Sequence, residues 1–263
     1  METDILGALT QLLLQRLDVG WTFLLLLTRH VSFLLLVPGI GGGFPGITIR
    51  YPAAVAFTVA AFSVKNVVPV PPDMGIMTAQ LVSEMLLGGL IGLIPLLIVS
   101  GAQVAGHIAS GTMGLNGAQL VDPTTQASLP DLARLYSDLA TLVFLLVGGH
   151  YAALLQLSSL QDTMTPGTFM LSGGGLKALI DQSAYVFYMG CMIAAPVIVA
   201  LLLTNFVMAL ISKAVPTVNL FIISFPLTIA VGLGISIIAL PEVVYYLTEQ
   251  YRRLEHLLLI TVA

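Results

Sequence analysis

Charge is what this sequence of 263 residues has least of: Asp, Glu, Lys and Arg together make up 8% of it, against about 25% in an ordinary soluble domain. With a mean hydropathy of +1.01, that scarcity excludes a soluble globular protein and leaves a polytopic, all-α membrane protein. The charge that remains sums to −4, so there is no basic face for nucleic acid. Cysteine is almost absent too. Cys191 stands alone in an apolar run, which excludes a disulfide framework within the chain and reads as a small buried hydrophobe.

Catalytic and ligand-holding patterns are missing as well. His30, His107, His150 and His256 have no metal-ligand spacing. There is no G-x-S-x-G, no H-E-x-x-H and no P-loop, since Gly41-Gly42-Gly43 lacks a following Gly-Lys-Ser/Thr. Asp138 alone among the aspartates lies in an apolar helix, where paired-aspartate proteolysis needs a couple. These absences argue against an enzyme, a metal centre and a cofactor. Glu2 and Asp4 stand where a cleavable signal carries basic residues, so the first apolar helices are expected to insert the chain themselves.

What the sequence has is long apolar runs. Six segments read as helical: 19–37, 51–64, 76–100, 135–157, 184–211 and 218–240. The second is too short to span a bilayer as a straight helix. Residues 4–17 read as a short amphipathic helix, 161–182 as a loop with Gly173-Gly174-Gly175, and 242–256 as a tail. An even count puts both termini on one side; Arg16, Lys65, Lys177, Arg252 and Arg253 against Arg50, Arg134 and Lys213 favour the cytoplasm. No internal repeat is visible. Three runs carry a proline near the middle, Pro95, Pro196 and Pro226, and each removes a helical hydrogen bond and frees a carbonyl that lipid cannot satisfy.

From Glu84 onward small residues recur every four positions, at Gly88 and Gly92, then Gly101, Ala105 and Ala109, and in parallel Gly106, Ser110 and Gly114. That spacing lets helix backbones approach closely. The glycine density also suits a segment that bends or rearranges. Glu84 is an acid near the middle of its helix, where ionisable groups face protein or water; it reads as a buried polar contact with a partner subunit, or as a proton-coupling carboxylate. Arg29 and His30 read as a polar interruption facing a partner helix, with Arg29 also able to snorkel. Met113, Met189, Met192 and Met208 suit ordinary gap filling, or a compliant seal around variable cargo.

In order and spacing, several of these residues resemble the FliR family of flagellar type III export-gate subunits and its injectisome counterparts. The match runs through Arg29, Pro38, Pro45 and Arg50; Glu84, Gly88 and Gly92; Gly106-His107-Ile108 and Met113-Gly114-Leu115; and Asp122-Pro123. It continues in Phe144, Gly149-His150, Pro166, Ala195-Pro196, Ser212-Lys213, Pro216, Asn219, Phe221, Phe225-Pro226-Leu227 and Gly232. Thr112 and Thr217 depart from it, each standing where the family commonly has Gln.

The resemblance implies a FliP-like part over residues 1–183 joined to a FliQ-like helical hairpin over 184–263. It implies one copy in a helical ring with FliP-like and FliQ-like subunits, an FlhB-like protein at the cytoplasmic entrance, and passage of unfolded export substrates. The place implied is the bacterial inner membrane, in contact with lipid, at the flagellar basal body. The loop after the third helix would be a pore plug, here about 106–122, with Gly106, Met113, Gly114, Leu115, Gly117 and Leu120 as candidates. Arg29, Glu84, Gly88, Gly92, Asp122, Pro123, His150, Pro196, Lys213, Pro216, Asn219 and Pro226 would serve helix packing or subunit contact. A competing reading from another class is a small-solute secondary transporter, whose midplane site would use helices broken at the three prolines.

Overall fold

The computed structural model describes residues 2–39, 44–62, 67–115, 131–214 and 220–262, and all regular structure among them is helical. Three long apolar helices carry the hydropathy: α3 (Met74–Met113), α6 (Gly173–Ala214) and α7 (Leu220–Arg252). The other helices are α1 (Glu2–Leu36), α2 (Phe44–Ala61), α4 (Asp131–Leu146), α5 (Gly149–Thr163) and α8 (Leu254–Val262). Among the described residues, four stretches are long and apolar enough to cross a membrane, in α1, α3, α6 and the run from α7 into α8. Counting α4 with α5 as one broken span gives five. Of the six segments expected, the second becomes the short α2, and the fourth is divided by Gly148, whose φ of +79° no side-chain-bearing residue readily adopts.

The prolines do not divide their helices. Pro95, Pro196 and Pro226, and also Pro52 and Pro241, lie inside uninterrupted helices. Other boundaries move outward from the sequence expectation. The amphipathic stretch 4–17 is continuous with the first apolar run in α1. The triple glycine opens α6 instead of lying in a loop. Ser172 caps that start by accepting the Gly175 N–H on its Oγ at 2.9 Å, and a Cβ on Gly175 would overlap the Thr261 carbonyl oxygen. The tail is helical through Pro241, because Val243, Leu247, Tyr251, Leu254 and Leu258 present a buried apolar face. Cys191 is exposed and not buried; its neighbour Gly190 is the residue that packs inward, against Val104.

By packing, the chain forms two compact units. The first comprises residues 1–96, 148–179 and 253–263, and the second 97–147 and 180–252. In the first, Leu25, Leu26, Phe33 and Leu34 of α1 are buried together with Leu87, Ile91 and Ile94 of α3, and Trp21 Nε1 donates to Gln80 Oε1 at 2.8 Å. In the second, the buried side chains include Ala102, Ala105 and Ala109 of α3, Tyr136, Ala140 and Phe144 of α4, Ile193 and Val197 of α6, and Leu247 and Tyr251 of α7. The boundary falls one residue beyond Pro95, so α3 supplies its first half to one unit and its second half to the other.

Candidate functional site

In the first unit two of the scarce charges meet inside the fold. Arg29 on α1 and Glu84 on α3 are both fully buried. Arg29 Nε donates to Glu84 Oε2 at 2.5 Å and Nη2 donates to Oε1 at 3.0 Å, a two-pronged pair. Such pairing is what makes a buried carboxylate and guanidinium tolerable. Among the described residues Arg29 Nη1 has no hydrogen-bond partner. Glu84 Oε1 also accepts the Gly167 N–H at 2.5 Å. Gly167 belongs to the turn Thr165-Pro166-Gly167-Thr168, closed by a Thr168 N–H to Thr165 carbonyl bond of 3.3 Å. Its φ of +82° and the Gln80 side chain, 2.8 Å from where a Cβ would stand, both demand glycine there.

Glycine also sets how closely α1 and α3 approach. A Cβ on Gly88 would overlap the Arg29 carbonyl oxygen and Ser32 Oγ, and one on Gly92 would lie 2.7 Å from the Phe33 carbonyl oxygen. Gly88 and Gly92 are therefore close-approach positions beside the ion pair. The carboxylate meets the chain's own guanidinium and a backbone N–H, where the sequence alone left a contact with a partner subunit and a proton-coupling role both open. His30 Nδ1 donates to the Leu26 carbonyl at 2.7 Å. Arg50 Nη1 donates to the Leu35 carbonyl at 3.0 Å, covering an acceptor that the C-terminal end of α1 leaves open.

The second unit holds the end of α3 differently. Gly106 lies against the α4 backbone, where a Cβ would overlap Ala133 Cα. Gly101 receives the Met189 side chain, and Gly190 sits 2.5 Å, counted from an added Cβ, from Val104 Cγ1. At the end of α3, Gly114 has a φ of +82°, and the Leu115 N–H reaches back to the Ser110 carbonyl at 3.0 Å, a glycine-terminated helix stop. Met113 is 1% exposed and lies over Gly232 of α7, while its carbonyl accepts a 3.1 Å bond from Thr228 Oγ1. Leu115 is half-buried.

Of the remaining sequence candidates, Pro196, Lys213 and Pro226 are exposed on α6 and α7, and His150 is half-buried on α5. Gly117, Leu120, Asp122, Pro123, Pro216 and Asn219 lie outside the described residues. Gln80, Gly167 and Thr228 escaped the reading of the sequence. The Pro166-Gly167 dipeptide was the signal available for the turn; nothing local marks Gln80 or Thr228. Among the described residues no three His, Cys, Asp or Glu side chains form a metal-binding group. What the two sites offer is mechanical: one ties helices together through a buried charge pair, and the other seats a helix end in a neighbour.

Comparison with known proteins gives this architecture a context. A family model described as bacterial export proteins, family 1, matches residues 20–254. The flagellar biosynthetic protein FliR of Escherichia coli strain K12 is 29% identical over 204 residues, covering 78% of this chain and 77% of that protein. FliR of Aquifex aeolicus strain VF5 is 29% identical over 233 residues, covering 88% and 90%. The Yop proteins translocation protein T of Yersinia pestis is 22% identical over 215 residues, covering 80% and 82%.

Proposed function

This chain belongs to the bacterial export proteins, family 1, and from that premise we propose that it is a structural, pore-forming subunit of a type III protein export gate serving flagellum assembly. The observation that carries this reading is the extent of the match, 20–254, which takes in both compact units. In this reading one copy assembles with FliP-like and FliQ-like subunits, an FlhB-like protein sits at the cytoplasmic entrance, and unfolded substrates pass through. The site is the inner membrane at the basal body. The exposed apolar side chains of α6 and α7, such as Phe187, Leu203, Phe206 and Ile237, are then surfaces for partner subunits and lipid. The FliP-like part is 1–183 and the FliQ-like part 184–263.

The plug in this scheme is about 106–122, with Gly106, Met113, Gly114, Leu115, Gly117 and Leu120 as its residues; its first part, 106–113, is the last stretch of α3 and not a loop. The competing transporter reading drew its support from helices broken at proline, and α3, α6 and α7 run through theirs unbroken. Gentle solubilisation and affinity purification test the assignment. Recovery in a stable complex with FliP-like and FliQ-like subunits is the expected result, whereas a lone monomer that binds a small solute overturns it. Replacing Gly114 by Leu puts a branched side chain at a φ of +82° and is expected to impair motility and filament-protein secretion. Normal secretion by that variant would sink the plug assignment.

A further inference from the structure

The end of α3 is held by three residues on one face of α7. Phe225, Thr228 and Gly232 follow at spacings of three and four, so they line a single side of that helix. Phe225 covers Gly114, its Cε2 being 3.3 Å from where a Cβ on that glycine would stand. Thr228 reaches the Met113 carbonyl, one of the acceptors that a helix end leaves open. Gly232 gives room to the Met113 side chain: a Cβ there would lie 2.6 Å from both Cγ and Cε and 2.9 Å from Sδ.

These contacts are of a kind that can let go. The single Thr228 hydroxyl proton is shared between the Met113 carbonyl at 3.1 Å and the Phe225 carbonyl of its own helix at 3.0 Å. If Met113 withdraws, the hydroxyl keeps an acceptor, so no buried donor is orphaned. The thioether carries no charge and adapts to new surroundings more readily than any branched side chain. Among the described residues, the other polar group released is the Met113 carbonyl, an acceptor at a helix end.

We propose that Phe225, Thr228 and Gly232 form a releasable latch that seats Met113 and holds the end of α3 in the resting gate, and that the latch opens during export. The proposal rests on the export-gate reading and assigns Met113 the role of an anchor in a socket and not that of a seal facing the passage. Phe225, Thr228 and Gly232 are positioning residues, acting on the passage through the end of α3.

A cysteine pair tests it. In a chain carrying Cys191→Ser, Met113→Cys puts a sulfur at the position of the Met113 Cγ, 2.6 Å from the Cβ that Gly232→Cys adds, close to what a disulfide needs. Secretion of filament protein is measured in cells before and after oxidation and again after reductant, with cross-link occupancy read by mass spectrometry. Secretion is expected to fall by about ten-fold or more when the bond forms and to recover on reduction, because the bond removes the undocked state from the ensemble. Cross-linked protein that secretes as fast as the same variant after reductant overturns the latch.

If the paired variant does not accumulate, Gly232→Ala serves instead. Its methyl takes the space that Met113 occupies and is expected to raise small-ion leak through the purified assembly. Leak unchanged in Gly232→Ala overturns the proposal. The Cys191→Ser parent separates the two readings. If the parent fails to assemble with other export subunits, the export-gate reading fails; if it assembles and secretes but locking has no effect, only the latch does.

Discussion

One helix, α3, is attached in two unlike ways. Its first half is fastened to α1 by a fully buried Arg29–Glu84 pair flanked by glycines that bring the backbones together. Its second half is fastened by apolar and small-residue contacts that end in a methionine seated over a glycine and a hydroxyl with two acceptors. The difference lies in what separation would leave behind. Pulling Glu84 from Arg29 strands two charges in an apolar interior, each heavily penalised there. Withdrawing Met113 from α7 exposes some apolar area and frees one carbonyl. A helix built this way is held by charge in its first half and by apolar and small-residue contacts in its second, and the proposed latch rests on that difference.

The largest effect is expected where that contrast is sharpest. Replacing Glu84 by Ala leaves Arg29 charged and unpaired and takes the acceptor from the Gly167 N–H, destabilising the chain by about 3–5 kcal/mol. Thermal unfolding of the purified assembly, or accumulation in membranes, reads this directly. Replacing both partners by apolar residues, Arg29→Met with Glu84→Leu, is expected to recover most of the loss, since the fault in the single variant is the charge left alone and not the absence of the pair. If Glu84→Ala is no less stable than the parent, the first half of α3 is not held by charge, and the contrast with the second half collapses.

Glycine gives the next test, with opposite signs at two positions. A methyl on Gly88 would overlap the Arg29 carbonyl oxygen and Ser32 Oγ, so Gly88→Ala forces α1 and α3 apart and is expected to destabilise by about 1–3 kcal/mol. Gly234 in α7 has nothing within 4 Å of an added Cβ, and Gly234→Ala is expected to stabilise by up to about 1 kcal/mol through helix propensity alone. Melting of the two variants side by side separates packing from propensity. Equal shifts of the same sign would mean that the approach of α1 to α3 is not set at Gly88.

The sequence made the participants in these attachments legible and their pairings not. Arg29, Glu84, Gly88 and Gly92 stand out because charge is rare in apolar runs and because small residues at four-residue spacing have a geometric use. That Arg29 meets Glu84 across 55 residues of chain is a matter of tertiary packing, which no local pattern encodes. Glycine was ambiguous for the same reason: Gly101 and Gly106 serve close approach because Met189 and Ala133 lie opposite, and what lies opposite is invisible in one sequence. Proline left two readings open, a break as the transporter reading needs or a helix that runs on. It forbids one backbone bond, yet in α3, α6 and α7 the helix resumes on both sides, because the flanking apolar faces are favourable over many more residues than the one bond lost. Gly173-Gly174-Gly175 read as loop by composition, and the Ser172 cap and the close pass of α8 make it the start of α6.

The smallest effect expected is at Thr228, and its smallness is what the contrast requires. Thr228→Val keeps the shape of the side chain and removes the proton that is divided between the Met113 and Phe225 carbonyls. An ordinary hydrogen bond contributes about 0.5–1.5 kcal/mol net, and a proton shared with an intrahelical acceptor contributes at the lower end to the contact between helices. The variant is therefore expected to melt close to the parent while Met113 spends more time unseated. Maleimide labelling of Met113→Cys in a Cys191→Ser chain, with and without Thr228→Val, measures that directly, and faster labelling with Val at 228 is the expected outcome. A drop in stability as large as that of Glu84→Ala would mean that the end of α3 is locked as firmly as its beginning, and a helix locked at both ends could not yield.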